Sequence, residues 1–251
     1  MKAYLYLIIS ILRARLFYLA EVLVNIGLEI FYSITNLLVF FFVNSGLKVF
    51  TSQQVLIYSL VSNTLITIHT PTATYTFSYF VTSGDISTYL TRPINVILYL
   101  YILSCVDQYP KLFINMFIFD FIGLLLHISP IQLAISNLLV ILLSIPYLIF
   151  MFFIEAIFMS ISLSLEKVNT LRSAANHLIR LIGGGLVPVE FISNSIKNTF
   201  LYYCIGFYAD LAIGNVTLQN VLGWFVWACL LGGIALMVYK KNIRNFSVNG
   251  G

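Results

Sequence analysis

The chain has 251 residues, of which 60% are hydrophobic and 9% charged, against roughly 45–50% and about 25% in a soluble domain. Its 13 Lys and Arg against 9 Asp and Glu leave a net charge of +4, too few basic groups for a nucleic-acid partner. So little charge cannot clothe a water-soluble surface, and the sequence reads as a single-domain, all-α polytopic protein of the lipid bilayer.

The opening residues, MKAYLYLIISILRARLF, join a basic start to an apolar run. Arg13 and Arg15 interrupt the run and no small-residue cleavage site follows. The segment Lys2–Arg15 therefore reads as a retained amphipathic helix on the membrane surface, not as a signal peptide. A span needs about 20 mainly apolar residues to cross roughly 30 Å of hydrocarbon. The first is expected over 16–43, closed by Asn44-Ser45-Gly46, and the second over 54–80. Residues 94–128 are too long for one simple span, and Tyr109-Pro110-Lys111 divides them into a surface approach and a third span over 111–128. The fourth runs over 131–165, past Pro146 and Glu155. The polar bridge 166–172 leads to a fifth ending near Val187, and the sixth covers 221–239. Between the last two, 188–220 mixes Phe191, Phe200 and Phe207 with Glu190, Lys197 and Asp210. Irregular backbone at membrane depth survives only when packed on protein or lining a cavity, so a re-entrant hairpin is expected there. Nine Lys and Arg near span ends then share the side of both termini and two, Lys48 and Lys197, lie opposite. That bias places the N- and C-termini in the cytoplasm.

After the second span comes Val81-Thr-Ser-Gly-Asp-Ile-Ser-Thr-Tyr-Leu-Thr-Arg-Pro93. Gly84 permits a backbone break, Asp85 can cap a short helix through Tyr89, and Pro93 ends it. The result is either an ordinary inner loop or a helix that docks on a cytoplasmic partner, with Arg92 exposed.

That loop resembles the one in type 2 ABC transporter permeases, in the branch of antibiotic-resistance exporters such as the daunorubicin permease. Gly84, Ile86, Leu90, Arg92 and Pro93 fit the family's pattern, and Gly184, Gly185, Pro188 and Phe191 resemble the opening of its external hairpin. The family's later prolines are missing, since no proline follows Pro188. The resemblance implies a permease subunit of an ATP-driven exporter in a bacterial-type cytoplasmic membrane. It would pair with a second permease, identical or related, and with a separate cytoplasmic ATPase. The loop 84–93, Asp85 included, would couple to that ATPase, and Glu166, Lys167 and Arg172 would form a second contact. The chain has no GxxxxGK[ST] phosphate loop, so ATP hydrolysis would belong to the partner.

Ionisable groups inside spans are functional candidates by default. Glu21 and Glu29 lie eight residues apart on one helix face with Asn25 between them and Asn36 close to the stripe. The stripe faces a translocation path, or it serves interhelical hydrogen bonds while Glu21 reaches toward Arg13 and Arg15. Asp120 and Glu155 lie in the third and fourth spans, where Lys111 and His127 are candidate partners. Residues 67–76 carry five threonines, His69 and Pro71; these serve either a wet cavity wall or helix packing. Cys105, Cys204 and Cys229 sit in unrelated apolar settings, and His69, His127 and His177 lie far apart. No metal or cofactor site and no catalytic set is expected from them. The rival readings are a membrane scaffold or immunity protein that needs no ATPase, and a lipid-modifying enzyme, whose paired carboxylates at an inner-face loop are missing.

Overall fold

The computed structural model describes residues 19–69, 72–91, 95–165 and 168–245. The amphipathic segment Lys2–Arg15 lies outside these, as do Arg92, Pro93, Glu166 and Lys167. The described residues are helical bundles and short turns throughout. Helix α1 covers Leu19–Leu47, α2 Ser52–Ile68, α3 Thr72–Ser83, α4 Ile86–Leu90 and α5 Val96–Leu125. Then come α6 (Pro130–Ser162), α7 (Val168–Ile182), α8 (Val189–Ile192), α9 (Gly206–Ala212) and α10 (Leu218–Asn245). Two 3₁₀ turns, Asn194–Asn198 and Tyr202–Cys204, join α8 to α9.

The helix starts are written locally. Thr51 caps α2 reciprocally with Gln54: its Oγ1 accepts from the Gln54 N–H at 3.3 Å and its N–H donates to Gln54 Oε1 at 3.0 Å. Asn95 accepts the Leu98 N–H at the head of α5, and Ser129 does the same for Gln132 ahead of Pro130 at the first turn of α6.

Among the described residues, three helices carry windows long and apolar enough to cross a membrane: Ile30–Leu47, Pro130–Ser162 and Leu218–Arg244. The other predicted spans come out differently. The second is two helices, because the chain leaves α2 at His69 with extended backbone and α3 starts at Thr72. A helical Pro71 would leave the Thr67 carbonyl without its donor and crowd Thr70. Residues 96–125 form one helix of 30 residues through Pro110, where a surface approach and a separate span are predicted from the sequence. Leu112, Asn115, Met116 and Phe119, just beyond the proline, are all buried. Packing of that kind lets an apolar helix carry a proline. The fifth predicted segment is a 15-residue amphipathic helix ending at Ile182, well short of Val187.

The core has two parts. The larger joins α2, α5 and α6 to the buried turns Tyr202–Ala209. The smaller gathers Ala73 and Phe77 of α3, Ile86 of α4, Ile97 and Leu100 of α5, and Met159 of α6. Between the two lies the break at His69.

Candidate functional site: a buried ionic joint at the helix break

Sequence order brings three polar residues to the break from far apart. His69 ends α2, Glu155 projects from α6 two turns before its end, and Arg172 lies in the first turns of α7. Their side chains are buried, with Arg172 and Glu155 at 0% exposure and His69 at 3%. Arg172 clasps one carboxylate oxygen: its Nε donates to Glu155 Oε1 at 2.8 Å and its Nη2 at 2.5 Å. The other oxygen accepts the Thr74 hydroxyl from α3. His69 Nε2 stands 3.1 Å from Glu155 Oε1 and 3.0 Å from Arg172 Nη2. That nitrogen can accept from Arg172 or donate to Glu155, never both at once, so the imidazole is the member with two settings.

The surroundings are aromatic. The Arg172 guanidinium lies 5.3 Å from the centre of the Phe158 ring, a favourable cation–π distance. Tyr147 meets the His69 ring edge-on and Tyr101 lies tilted beside it. Among the described residues Arg172 Nη1 has no hydrogen-bond partner. A buried charge is tolerated only when paired and hydrogen-bonded, and one carboxylate against one guanidinium leaves the cluster neutral when His69 is neutral. With both Glu155 oxygens engaged, the arrangement works as a fastening that ties α2, α3, α6 and α7 together at the one place where the second predicted span is discontinuous.

From this joint α3 leads directly to the loop singled out in the sequence. Its 12 residues make an arm of about 18 Å. Gly84 turns the chain with φ of +83°, in the region glycine reaches without strain. Ile86 is fully buried, and Tyr89 stacks on Phe80 of α3 with ring centres 4.8 Å apart. The helix α4 is therefore fixed to the end of α3. Asp85 occupies the capping position as expected, yet its carboxylate makes no capping bond. It accepts from the Ser83 hydroxyl at 2.8 Å instead, because Asp85 has helical backbone that aims the side chain away from the helix start. Leu90 closes α4, and its side chain lies outside the described residues, as do Arg92 and Pro93.

Arg172, expected as a surface contact, is internal: Glu155 would otherwise be an uncompensated buried charge. Neither acidic residue within the predicted third and fourth spans takes the basic partner expected of it. Glu155 finds Arg172 and His69, and Asp120 accepts two bonds from Asn137 Nδ2 at 3.0 and 2.8 Å. Glu21, Asn25 and Glu29 lie on α1, with side chains outside the described residues. Asn36 of the same stripe is buried and donates to the Gly185 carbonyl at 3.4 Å.

A second polar set was not singled out as such in the sequence. Ser33 of α1 donates to Asn115 Oδ1 of α5 at 2.6 Å and accepts from Asn63 Nδ2 of α2 at 2.7 Å. Asn115 Nδ2 in turn donates to Thr67 at 3.2 Å. All four are buried, and they stitch three helices together.

The glycine turn seats 183–212 on α2. Gly184 has φ of +88° and its carbonyl accepts from Tyr58 OH at 3.2 Å. The Gly206 N–H donates to the Gly183 carbonyl at 2.7 Å. Pro188 precedes α8 with extended backbone, and Phe191 packs on Phe50 with ring centres 5.6 Å apart. Behind this turn Lys197 bonds Glu190 and lies 3.5 Å from Asp210 Oδ2. Tyr202 OH donates to the same Asp210 oxygen at 2.8 Å. Burial first, and then the neighbouring Glu190, push Asp210 up to about 7. Lys197 is raised above its ordinary range: burial works against its charge, but the bond to Glu190 and the nearby Asp210 outweigh it.

An all-helical membrane protein with this layout agrees with the comparison to known families. Residues 23–250 match the profile described as ABC-2 family transporter protein, nearly the full length of the chain. The chain belongs to the ABC-2 family of transporter proteins, and is thus an integral membrane protein of the permease type. No curated protein matches it. No solved structure matches it either.

Proposed function

We propose that the chain is the permease subunit of an ATP-driven exporter similar to the antibiotic-resistance branch of its family. In this reading it has six spans, with α2 and α3 together making the second and α7 the short fifth. Its termini face the cytoplasm of a bacterial-type cell, and 188–217 forms a re-entrant hairpin at the outer face. A second permease and a separate cytoplasmic ATPase complete the transporter, and the ATPase docks on the loop 84–93 with Gly84, Asp85, Ile86, Leu90, Arg92 and Pro93. Glu166 and Lys167 add a smaller contact beside it.

The observation that carries the reading is the ionic joint at the root of the α3–α4 arm. A push on α4 cannot be absorbed by bending a continuous helix, because α2 and α3 are separate rods. It is delivered to Thr74, Glu155 and Arg172, and so to α6 and α7 together. His69, with its two settings, lets the contact be remade without leaving Glu155 bare. Closure of the ATPase would then tilt α6 and α7 as a unit and open the path beneath the outer hairpin.

Affinity purification of the tagged chain in mild detergent, with mass spectrometry of co-purifying proteins, tests this. An ATPase subunit is expected with the wild-type chain and is expected to be lost with Asp85→Ala/Arg92→Ala. Recovery of the chain alone across several detergents would sink the exporter reading in favour of a scaffold. An ATPase retained at full yield and full stimulation by the double variant would move the docking site elsewhere.

A further inference from the structure

The short helix α7 has three sides. Val168, Arg172 and Ile179 face the bundle and are buried. Leu171, Ala174, Leu178 and Leu181 follow one another at helical spacing and are exposed. On nearly the opposite side Asn169, Ser173, Asn176 and Arg180 make a polar row, exposed at Asn169 and half-buried beyond it. Both ends of α7 are pinned to α2. Arg172 Nη2 lies 3.0 Å from His69 Nε2, where α2 ends, and the Gly184 carbonyl, just past Ile182, accepts from Tyr58 OH. Tyr58 and His69 are about 16 Å apart along α2, so α7 rises through the depth of the second predicted span and does not lie on a surface. Leucines at that depth suit hydrocarbon. An arginine, two amides and a hydroxyl do not, and polar side chains there face the bundle interior or a water-filled space.

Arg180 is the member of the row that nothing inside the protein answers. Its Nε is buried, and among the described residues it has no hydrogen-bond partner and no carboxylate pairs with the side chain. The helix itself carries no Asp or Glu. Arg172 is matched by Glu155, and the carboxylates Glu190 and Asp210 beyond the glycine turn are held by Lys197. Arg180 lies close enough to His69 and Tyr147 to act electrostatically on both, as Arg172 does. With the joint neutral, Arg180 gives that region one positive charge in excess among the described residues. The N–H groups of Gly185 and Leu186 donate to its carbonyl at 3.1 and 2.9 Å, so this charge stands where α7 gives way to the turn carrying 183–212.

We propose that the polar row Asn169, Ser173, Asn176 and Arg180 lines a water-filled passage, and that Arg180 receives there a negatively charged group of the transported solute. A guanidinium fits a carboxylate or a phosphate equally well, and either would supply the missing charge. The assignment rests on the permease reading, which provides the passage. Its test needs no ATPase, so the two fail separately: a chain purified with its ATPase but with a closed polar row faults this inference alone.

The full chain with Cys229→Ser, whose other two cysteines are buried, would be reconstituted in phosphatidylcholine vesicles. Ser173→Cys, Asn176→Cys, Ala174→Cys and Leu178→Cys would be added one at a time. Each would be treated with an anionic (sulfonatoethyl) and a cationic (trimethylammonioethyl) methanethiosulfonate, with rates scaled to those for a simple thiol in water. Ser173→Cys and Asn176→Cys are expected to react, the anionic reagent leading by about tenfold, while Ala174→Cys and Leu178→Cys stay silent. Arg180→Gln should bring the two reagents level and Arg180→Lys should keep the preference. Raising the salt to 1 M should narrow it in the chain with Arg180 intact, a measurement that survives if the arginine variants fail to fold. Silence at Ser173→Cys and Asn176→Cys would overturn the passage, leaving a face covered by protein. A preference that is missing, indifferent to salt or retained in Arg180→Gln would overturn the role of Arg180. Loss of the preference on adding phosphatidylglycerol would give the arginine to a lipid headgroup and overturn the solute assignment.

Discussion

Glu155 and Arg172 stand 17 residues apart in the chain, on helices of different length and character, and neither side chain has any exposure to solvent. Nε and Nη2 of the arginine converge on one carboxylate oxygen while Thr74 takes the other. This pairing fixes the relation between α6 and α7 and holds the start of α3 against both.

Removing one partner alone leaves a bare charge inside the protein, which costs about 3–5 kcal/mol. Glu155→Gln and Arg172→Met are each expected to lower the unfolding temperature sharply in detergent, read by fluorescence-detected gel filtration after heating. The double variant Glu155→Gln/Arg172→Met should recover much of that loss, since no uncompensated charge remains. A double variant as unstable as the sum of its parts would show that the pair is not the source of the coupling.

The cluster around Asp210 predicts a pH dependence. Asp210 is raised from 3.8 to about 7, so between those values the folded segment holds a proton that the unfolded one has released. Stability therefore falls as pH rises through that window and levels off above it, with local opening favoured by up to about tenfold per pH unit. The groups facing Asp210 are Glu190 on α8, Lys197 and Tyr202 on the 3₁₀ turns, Tyr58 on α2, and Asn220 on α10 through Tyr202. Lys197, raised, contributes stability that is lost only at alkaline pH. Hydrogen-exchange protection of 188–217, corrected for the intrinsic pH dependence of amide exchange, should fall from acidic to neutral pH in the wild-type chain and stay level in Asp210→Asn.

Two glycines with positive φ separate backbone strain from crowding. At Gly184 a Cβ would come within 2.7 Å of Tyr58 OH and 2.9 Å of the Gly206 Cα, whereas at Gly214 it would meet nothing within 4 Å. Both share the left-handed backbone, with φ of +88° and +77°, worth about 1–2 kcal/mol against alanine. Gly214→Ala should show that cost alone. Gly184→Ala should add a further cost of about 1–3 kcal/mol for overpacking and detach the hairpin from α2. Thermal stability of the two variants side by side decides it.

The Ser33–Asn63–Asn115–Thr67 network should behave as packing, not as a transport path. Hydrogen bonds between membrane helices average about 0.6 kcal/mol and reach about 1.7, so Asn115→Ala is expected to cost on the order of 1 kcal/mol of stability. Transport measured at equal protein level should be unchanged. A loss of transport out of proportion to stability would assign the network to the path.

The membrane class was legible from composition, the short helix after Gly84 from local residues, and the glycine turn at 184–188 only through the family resemblance. The joint was not, although each of its parts was visible. His69 and the threonines stood out in an apolar stretch, and Glu155 stood alone in the most apolar span. A base was sought for that acid, but Lys111 and His127 were the ones weighed. Arg172, one turn into an amphipathic segment and 17 residues beyond Glu155, was already assigned to a contact at the surface. Counting Arg172 as a surface charge hid it. Pro110 misled in the other direction, since a proline divides a helix in water but is carried by a helix packed as closely as α5.

The break at His69 also has a consequence for how the protein is made. Ribosomes deliver the halves of the joint at widely separated times: His69 and Thr74 emerge some eighty residues before Glu155, and Arg172 follows only after α6 is complete. Until then α6 carries an acid into the bilayer with only the Thr74 hydroxyl and His69 to meet it. A nascent chain stopped short of residue 172 would therefore hold every long helix up to α6 and still lack the guanidinium that completes the joint. The short, amphipathic α7 is the piece whose arrival lets the earlier spans settle into place.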